Sequence, residues 1–216
     1  MKRGKKMPKK EQKPLAFSYE ESYAPRLVCG VDEAGRGPLA GRVYAAAVIL
    51  PLDKKDDDTI RRLNDSKKLS EKARDELCEK IKEVAAAWSI AFCEVEEIEK
   101  INILEASLLA MRRAIESLPV KADVALIDGN ICRDFNLEAR AIIGGDGISP
   151  SIAAASILAK TERDRYCLEV LHEKYPEYNF AKHKGYGTAA HYAAIKEFGP
   201  CPEHRMSFLK KFFEKQ

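Results

Sequence analysis

The chain has 216 residues, of which 45% are hydrophobic and 33% are charged, a composition typical of a globular protein with one sizeable core. Its longest stretch without a charged residue, 147–159, has 13 residues, whereas a membrane-spanning helix needs roughly 18 or more. Six cysteines lie at least 15 positions apart and form no Cys-x-x-Cys pair, which argues against a zinc or redox site. We therefore expect a cytoplasmic protein with reduced thiols and no membrane contact.

The N-terminal residues carry the excess positive charge. Seven basic residues against one glutamate give residues 1–14 a charge of +6, which leaves −3 for the rest of a chain whose total is +3. Such a segment can attract phosphates in a salt-sensitive way, or it can serve only to keep the protein in solution. We expect residues 1–26 to form a basic, flexible tail and residues 27–216 to form the folded domain, with a helical C-terminal part from about residue 175.

Two adjacent carboxylates follow an apolar stretch near the start of this domain. Residues 27–31 predict a short buried strand, and Asp32 and Glu33 come directly after it. Neighbouring strand side chains point to opposite faces, so both acids can reach one ion only where the strand ends or twists. The glycine-rich run 34–41 allows this and bares main-chain N–H and C=O groups beside Arg36. On its own, the pattern also fits an ordinary solvated turn.

The rest of the chain alternates predicted strands and helices. A second strand over 42–52 follows the glycine-rich turn, so we expect it to run antiparallel to the first. Ser70 suits a helix N-cap, and Lys67 before it could reach a phosphate at the helix start, although a capped surface loop explains the pattern equally well. The remaining predictions are strands over 88–95, 124–127 and 139–143, and helices over 96–118, 151–165, 188–198 and 207–213.

Two of the later strands also release an acid where they end. Asp128 follows the strand 124–127, and Asp146 follows two glycines after the strand 139–143. Three strands that end in acids can converge at one edge of a sheet, where the carboxylates would repel each other unless divalent cations lay between them. The small residues of the helix that follows would let it pack closely against the sheet and hold these acids in place.

The segment 175–187 interrupts regular structure with Pro176 and two glycines. Tyr186 lies between those glycines and could stack on a sugar or a base, while Lys182 and Lys184 could neutralise phosphates. The alternative is a loop tyrosine tucked onto a helix.

Taken in order, these motifs resemble those of ribonuclease HII. The similarity runs from about residue 28 to residue 208, and it rests on the combination because each piece is weak alone. The matching stretches are VDEAGRGPLAG at 31–41, DSKKLS at 65–70, IDGN at 127–130, GD at 145–146, AAASILAK at 153–160, RD at 163–164, KGYGT at 184–188 and HRMSF at 204–208.

The resemblance implies a ribonuclease H-like α/β fold, with a central five-stranded mixed sheet flanked by helices and a helical C-terminal extension. It implies an endonuclease that hydrolyses the RNA strand of RNA–DNA hybrids and cleaves 5′ of single ribonucleotides embedded in duplex DNA, leaving 3′-hydroxyl and 5′-phosphate ends. The implied catalytic and metal-binding set, which would use Mn²⁺ or Mg²⁺ in a two-metal mechanism, is Asp32, Glu33, Asp128 and Asp146.

The same resemblance assigns the substrate contacts. The family reads the ribose 2′-hydroxyl with a Gly-Arg-Gly backbone, here Gly35, Arg36 and Gly37, assisted by the tyrosine that matches Tyr186. Phosphates would be held by Ser66, Lys67 and Lys184. The resemblance also implies a monomer with a role in bacterial repair, and contact with a replication clamp stays an open alternative.

Two positions depart from the family pattern. Gly145 stands where the family usually has lysine, which removes a positive charge beside the acids, and Arg42 replaces a common proline. Arg42 or the basic tail could compensate for the missing charge. Because all four acids remain, we expect activity.

Three other interpretations fit less well. A type HIII ribonuclease would need an extra N-terminal domain and typically a lysine within the glycine motif. A nucleic-acid-binding module that has lost catalysis would lack one of the acids. A small-molecule phosphohydrolase with the same metals would not explain why Gly-Arg-Gly and Lys-Gly-Tyr-Gly occur together.

Overall fold

The structure, a computed structural model, describes residues 14–63 and 70–214. Ser66 and Lys67, which the sequence predicted to hold phosphates, lie outside the described residues. One sheet of five strands organises the described part of the chain, in the order β3-β2-β1-β4-β5. The strands are β1 (Val28–Ala34), β2 (Val43–Ile49), β3 (Ala87–Cys93), β4 (Val124–Asp128) and β5 (Glu138–Ile142).

The sheet is mixed, as predicted. β2 runs antiparallel to β1, with Val31 opposite Ala47, and β3 runs antiparallel to β2. On the other side, β4 runs parallel to β1, with Val31 opposite Ile127, and β5 runs parallel to β4. The two predictions of a five-stranded mixed sheet and of an antiparallel first pair are therefore confirmed.

The largest difference from the predicted strands is in β1. Its predicted end at residue 31 was wrong, because pairing with β2 continues as far as Ala34, opposite Tyr44. Both Asp32 and Glu33 therefore lie inside the strand rather than after it. Apolar periodicity could not indicate this end, since the last residues of the strand are held by backbone pairing and carry acids.

The helices are short except for three. Their bounds are α1 (Ser18–Glu21), α2 (Asp58–Arg61), α3 (Glu71–Val84), α4 (Val95–Glu116, with a non-helical Asn102), α5 (Pro150–Tyr166, continued by a π-turn Cys167–Leu171), α6 (His172–Lys174), α7 (Phe180–His183), α8 (Ala189–Phe198) and α9 (Met206–Phe213). Among the described residues, no helix is long and apolar enough to cross a membrane.

The sheet lies between two helical layers. On one face, β-strand residues such as Val31 and Ala47 pack with α4, and on the other face Ala46 and Val48 pack with α3 and α5. Helix α5 comes unusually close, because a Cβ placed on Gly30 would lie 2.1 Å from the Ser151 carbonyl carbon. The predicted close packing of this small-residue helix is confirmed, and the packing fixes the position of α5 relative to the acids on β1.

Packing against the domain begins before residue 27. Phe17 is buried, and the carboxylate of Glu20, which is 2% exposed, accepts hydrogen bonds from Ser149 Oγ (2.6 Å) and Ser151 N–H (3.1 Å). The segment 17–26 therefore belongs to the folded unit, although the sequence analysis placed it in the tail. At the other end, the chain beyond residue 175 consists of a 3-10 turn (Pro176–Tyr178) followed by α7, α8 and α9.

Candidate active site

Asp32 and Asp128 lie side by side on the two central parallel strands. Val31 is opposite Ile127 in the sheet register, so the next residue of each strand is an acid. A backbone donor fixes each carboxylate: Glu33 N–H donates to Asp32 Oδ1, and Gly145 N–H donates to Asp128 Oδ1, both at 2.7 Å. The strands and these two amides thus hold the carboxylates in defined orientations.

Burial and neighbouring negative charges oppose the ionisation of Asp32 and Glu33. Burial raises the pKa of Asp32 well above its ordinary value, and the charges of Glu33 and Asp128 raise it further. Burial also raises the pKa of Glu33, while Arg36, whose Nη1 lies 3.3 Å from Glu33 Oε1, opposes that rise. A bound cation would offset both the burial of these carboxylates and the repulsion between them.

Asp146 reaches the same end of the sheet by a turn. It is buried within the 3-10 turn Gly145–Gly147, directly after the residue whose amide binds Asp128. Within 14–63 and 70–214, no three acidic, histidine or cysteine side chains stand close enough together to hold a metal ion as placed. The structure therefore couples Asp32, Glu33 and Asp128 electrostatically and places Asp146 one residue after the Gly145 amide that binds Asp128.

A cavity of about 270 Å³ opens next to the acids. It is lined by Asp32, Glu33, Ala34, Gly35, Arg36, Gly37, Ser156, Lys160 and Tyr186. Tyr186 is 43% exposed, and a Cβ on Gly37 would lie 3.7 Å from its ring. The ring therefore borders this cavity beside the glycine-rich loop, and it also lies 5.7 Å from the guanidinium carbon of Arg163 on helix α5. The predicted exposure and the alternative of a tyrosine packed onto a helix thus each describe part of its surroundings.

Two basic residues singled out in the sequence lie elsewhere. Lys184 does not line the cavity; its Nζ lies 3.6 Å from Glu71 Oε1, and its side chain is mostly buried. Arg42 donates two hydrogen bonds to Glu94, at 2.7 and 2.8 Å, and its guanidinium lies against the rings of Phe92 and Tyr166. Arg42 lines a separate groove, so it is not placed to replace the charge missing at Gly145.

Four residues of the site carried no role in the sequence analysis. Ser156 and Lys160 are one helical turn apart on α5, and this spacing puts both side chains on the face of the helix that borders the acids. The same spacing in the sequence was a signal that could have identified them. Arg163 and Arg205 lie buried beneath the glycine-rich loop. Only the motif matches around these two arginines pointed to them, because nothing in their spacing indicates a buried cation.

A mixed sheet in this strand order, with acids on its two central strands and a glycine-rich loop beside them, defines a ribonuclease H-like nuclease. Residues 29–212 match the family model for Ribonuclease HII, and the chain belongs to this family. Its members are hydrolytic nucleases that act on RNA–DNA hybrids. Among curated relatives, the Ribonuclease HII of Dechloromonas aromatica is 58% identical over 182 residues, which are 84% of this chain and 90% of that protein.

Solved structures agree on the fold. The ribonuclease HII of Archaeoglobus fulgidus, solved in a complex with PCNA, is 26% identical with a TM-score of 0.70, covering 83% of this chain and 94% of that one. Bst-RNase HIII, solved in complex with Mn²⁺, is 18% identical with a TM-score of 0.54, covering 81% of this chain and 63% of that one. The second likeness supports the fold alone.

Proposed function

We propose that this ribonuclease, besides cutting the RNA strand of hybrids, cleaves 5′ of single ribonucleotides embedded in duplex DNA and leaves 3′-hydroxyl and 5′-phosphate ends. One observation carries the proposal: a single cavity is lined by the carboxylates of Asp32 and Glu33, by the loop residues Gly35–Gly37 and by Tyr186. A phosphodiester next to one ribose could thus meet the acids while its sugar meets the loop.

The acids fit a divalent metal cofactor. Asp32, Glu33, Asp128 and Asp146 offer only carboxylate oxygens, the donors that Mg²⁺ and Mn²⁺ prefer, and the repulsion of Asp32 and Glu33 by neighbouring carboxylates favours a bound cation. The related Bst-RNase HIII was solved with Mn²⁺. When bound, two ions would supply an activated water for in-line attack and stabilise the leaving 3′ oxygen.

The chain's own side chains position the reacting groups. Amide donors hold Asp32 and Asp128, so these two carboxylates need no reorganisation of the sheet to bind a cation. Arg36 neutralises Glu33 until substrate arrives, and it is half exposed and free to turn to a phosphate. Lys160 lines the cavity with its ammonium paired to Asp164, and by turning from that carboxylate to a phosphate it would supply part of the charge missing at Gly145.

The ribose is selected by the loop. A 2′-hydroxyl both donates and accepts hydrogen bonds, so bared main-chain groups at Gly35, Arg36 and Gly37 can distinguish it from a deoxyribose carbon, and the Tyr186 ring can pack against the sugar. Lys184 would hold a phosphate of the same duplex after leaving Glu71, with Ser66 and Lys67 as further phosphate contacts. We also propose that the protein works as a monomer in the cytoplasm; a clamp contact is suggested only by the relative solved with PCNA.

The test is cleavage of a labelled DNA duplex that contains one ribonucleotide, with Mg²⁺ or Mn²⁺. An all-DNA duplex and an Asp128→Asn variant are the controls. We expect a single cut 5′ of the ribonucleotide that is absent from both controls. Tight binding of the duplex without a cut in either metal would overturn the proposal and make the chain a binder of this substrate.

A further inference from the structure

The carbonyl groups of the glycine-rich loop converge on one buried side chain. Arg205 is fully buried, and its guanidinium donates six hydrogen bonds to main-chain oxygens. The acceptors are Gly35 O at 2.7 Å, Arg36 O at 3.1 Å, Pro38 O at 2.9 Å, Gly41 O at 2.7 and 2.9 Å, and Arg42 O at 3.1 Å. All five donors of the planar guanidinium can thus be used on neutral acceptors of one loop.

This arrangement decides where the amide groups of the loop point. In a trans peptide, the C=O of one residue and the N–H of the next point in opposite directions. Because the Gly35 and Arg36 carbonyls face inward to Arg205, the N–H groups of Arg36 and Gly37 face outward, to the side that bears the cavity. Neither amide donates to a protein group within the described residues, whereas those of Leu39 and Gly41 donate to Gly185 O and Glu203 O.

The same segment ties the loop to the tyrosine. Arg205 N–H donates to Leu39 O at 2.7 Å, and Leu39 N–H donates to Gly185 O at 2.8 Å, one residue before Tyr186. Underneath, Arg163 Nη2 donates to Lys184 O, and a Cβ on Gly35 would lie 2.2 Å from Arg163 Nε. Arg163 therefore fills the space beneath the loop, and main-chain contacts set the distance between the loop and the Tyr186 ring.

An arginine would be an unfavourable choice here if its only role were to fill the space beneath the loop. Burial and the neighbouring Arg163 lower the pKa of Arg205 to about 9, which leaves the side chain charged at neutral pH. A buried cation without a facing carboxylate is tolerated when hydrogen bonds use all its donors. What the protein gains here is a fixed orientation of five peptide units, which no aliphatic side chain can impose.

We propose that Arg205 is a positioning residue for ribose recognition: it turns the Gly35 and Arg36 carbonyls inward so that the Arg36 and Gly37 amides meet the ribonucleotide. The inference rests on the proposed function, which places the ribose at this loop. It predicts that weakening the Arg205 contacts damages the distinction between ribose and deoxyribose more than it damages binding of the duplex.

The first test compares affinities in an Asp128→Asn background, which prevents cleavage. Binding of a duplex with one ribonucleotide and of the matching all-DNA duplex is measured for the parent, for Arg205→Lys and for Arg113→Lys. Arg113 is a matched arginine that bonds Glu97, away from the cavity. Arg205→Lys keeps the positive charge but loses the planar guanidinium and its five donors. We therefore expect the ribose preference to fall about tenfold while the affinity for the all-DNA duplex changes less than twofold. Arg113→Lys should change neither quantity.

The second test uses the unmodified protein and so does not depend on the folding of a variant. Amide hydrogen exchange should be fast at Arg36 and Gly37, slow at Leu39 and Gly41, and slowed at the first two by the ribonucleotide duplex but not by all-DNA. If Arg36 and Gly37 exchange as slowly as Leu39 without substrate, the amides face inward and the inference is overturned. If Arg205→Lys folds and keeps the full ribose preference, the inference fails while the proposed function stands; a parent without any ribose preference overturns both.

Discussion

The two sides of the cavity differ in how their buried charges are compensated. On the acid side, burial raises the pKa of Asp32 and of Glu33, and the charge of Asp128 raises both further. On the loop side, the buried polar groups of Arg205 are matched to main-chain carbonyls. The acid side is incomplete until a cation binds, whereas the loop side is completed by the protein itself.

Three histidines extend the completed side. His191 Nδ1 lies 2.9 Å from Tyr186 O, and His191 Nε2 lies 3.0 Å from His204 Nε2. Cys201 N–H donates to His204 Nδ1 at 2.9 Å, which assigns the remaining proton of His204 to Nε2 and makes both rings neutral. His183 stacks on His191 with 4.3 Å between the ring centres. His204 thus supports the Tyr186 backbone through His191, while Arg205, its neighbour in sequence, binds the glycine-rich loop directly.

The largest expected effect comes from neutralising the acid side. Under the proposed mechanism, Asp32→Asn should lower the cleavage rate roughly 10³-fold, because it removes one of the proposed metal ligands. The same change removes repulsion with Glu33 and Asp128, so without metal it should raise the free energy of unfolding by about 1 kcal/mol. Denaturant unfolding at neutral pH measures this, and Mn²⁺ should raise the melting temperature of the parent but not of the variant. A variant less stable than the metal-free parent would contradict the picture of stored repulsion.

The second prediction concerns how the buried histidines make the free energy of unfolding depend on pH. Burial lowers the pKa of both His191 and His204 to about 4, below the 6.5 expected in the unfolded chain. Between pH 6.5 and pH 4 these imidazoles are protonated in the unfolded state but not in the folded state. The stability that is present above pH 6.5 is therefore lost as the pH falls, by about 3 kcal/mol for one such group. Asp32 has a raised pKa and acts with the opposite sign, since its folded state takes up protons first.

The experiment therefore uses Asp32→Asn, in which the Asp32 contribution is absent although that of Glu33, whose pKa is also raised, remains. Its free energy of unfolding, followed by denaturant titration from pH 7.5 to pH 4.5, should fall steeply, and adding His191→Gln should flatten the slope. A slope that is unchanged by His191→Gln would show that other groups bind the protons.

The third prediction tests Gly145, where the family usually has lysine. A Cβ at this position would lie 2.5 Å from Ile152 Cδ1 and 3.4 Å from Asp128 Oδ1. Gly145→Ala should cost about 1 kcal/mol of stability by crowding Ile152, with little change in cleavage. Gly145→Lys should show the same cost and, in addition, lower KM a few-fold at low salt because it adds a cation near the phosphate. Equal KM values for the two variants at low salt would mean that the missing charge does not matter.

Sequence patterns predicted the order and type of the main elements, because the strands are largely apolar and the long helices have apolar residues at helical spacing. The acids on β1 and β4 could be found because a carboxylate directly after an apolar run of residues is conspicuous in the sequence. Arg205 could not be found in this way, since its partners are main-chain carbonyls more than 160 positions away and the sequence records no pattern for them. The end of β1 was missed for the same reason: backbone pairing with β2, rather than side-chain character, decides it.

The smallest expected effect is that of Arg42, which the sequence suggested as a substitute for the missing lysine. Its guanidinium is held by Glu94 and by the rings of Phe92 and Tyr166, in a groove separate from the acids. Arg42→Met keeps most of the apolar stem, so it should cost about 0.5–1 kcal/mol of stability and change KM less than twofold. Cleavage kinetics at two salt concentrations, with Lys160→Met as the comparison, provide the measurement. Because Lys160 lines the cavity, only its loss should raise KM and weaken the salt dependence; the same behaviour for Arg42→Met would place Arg42 on the substrate path after all.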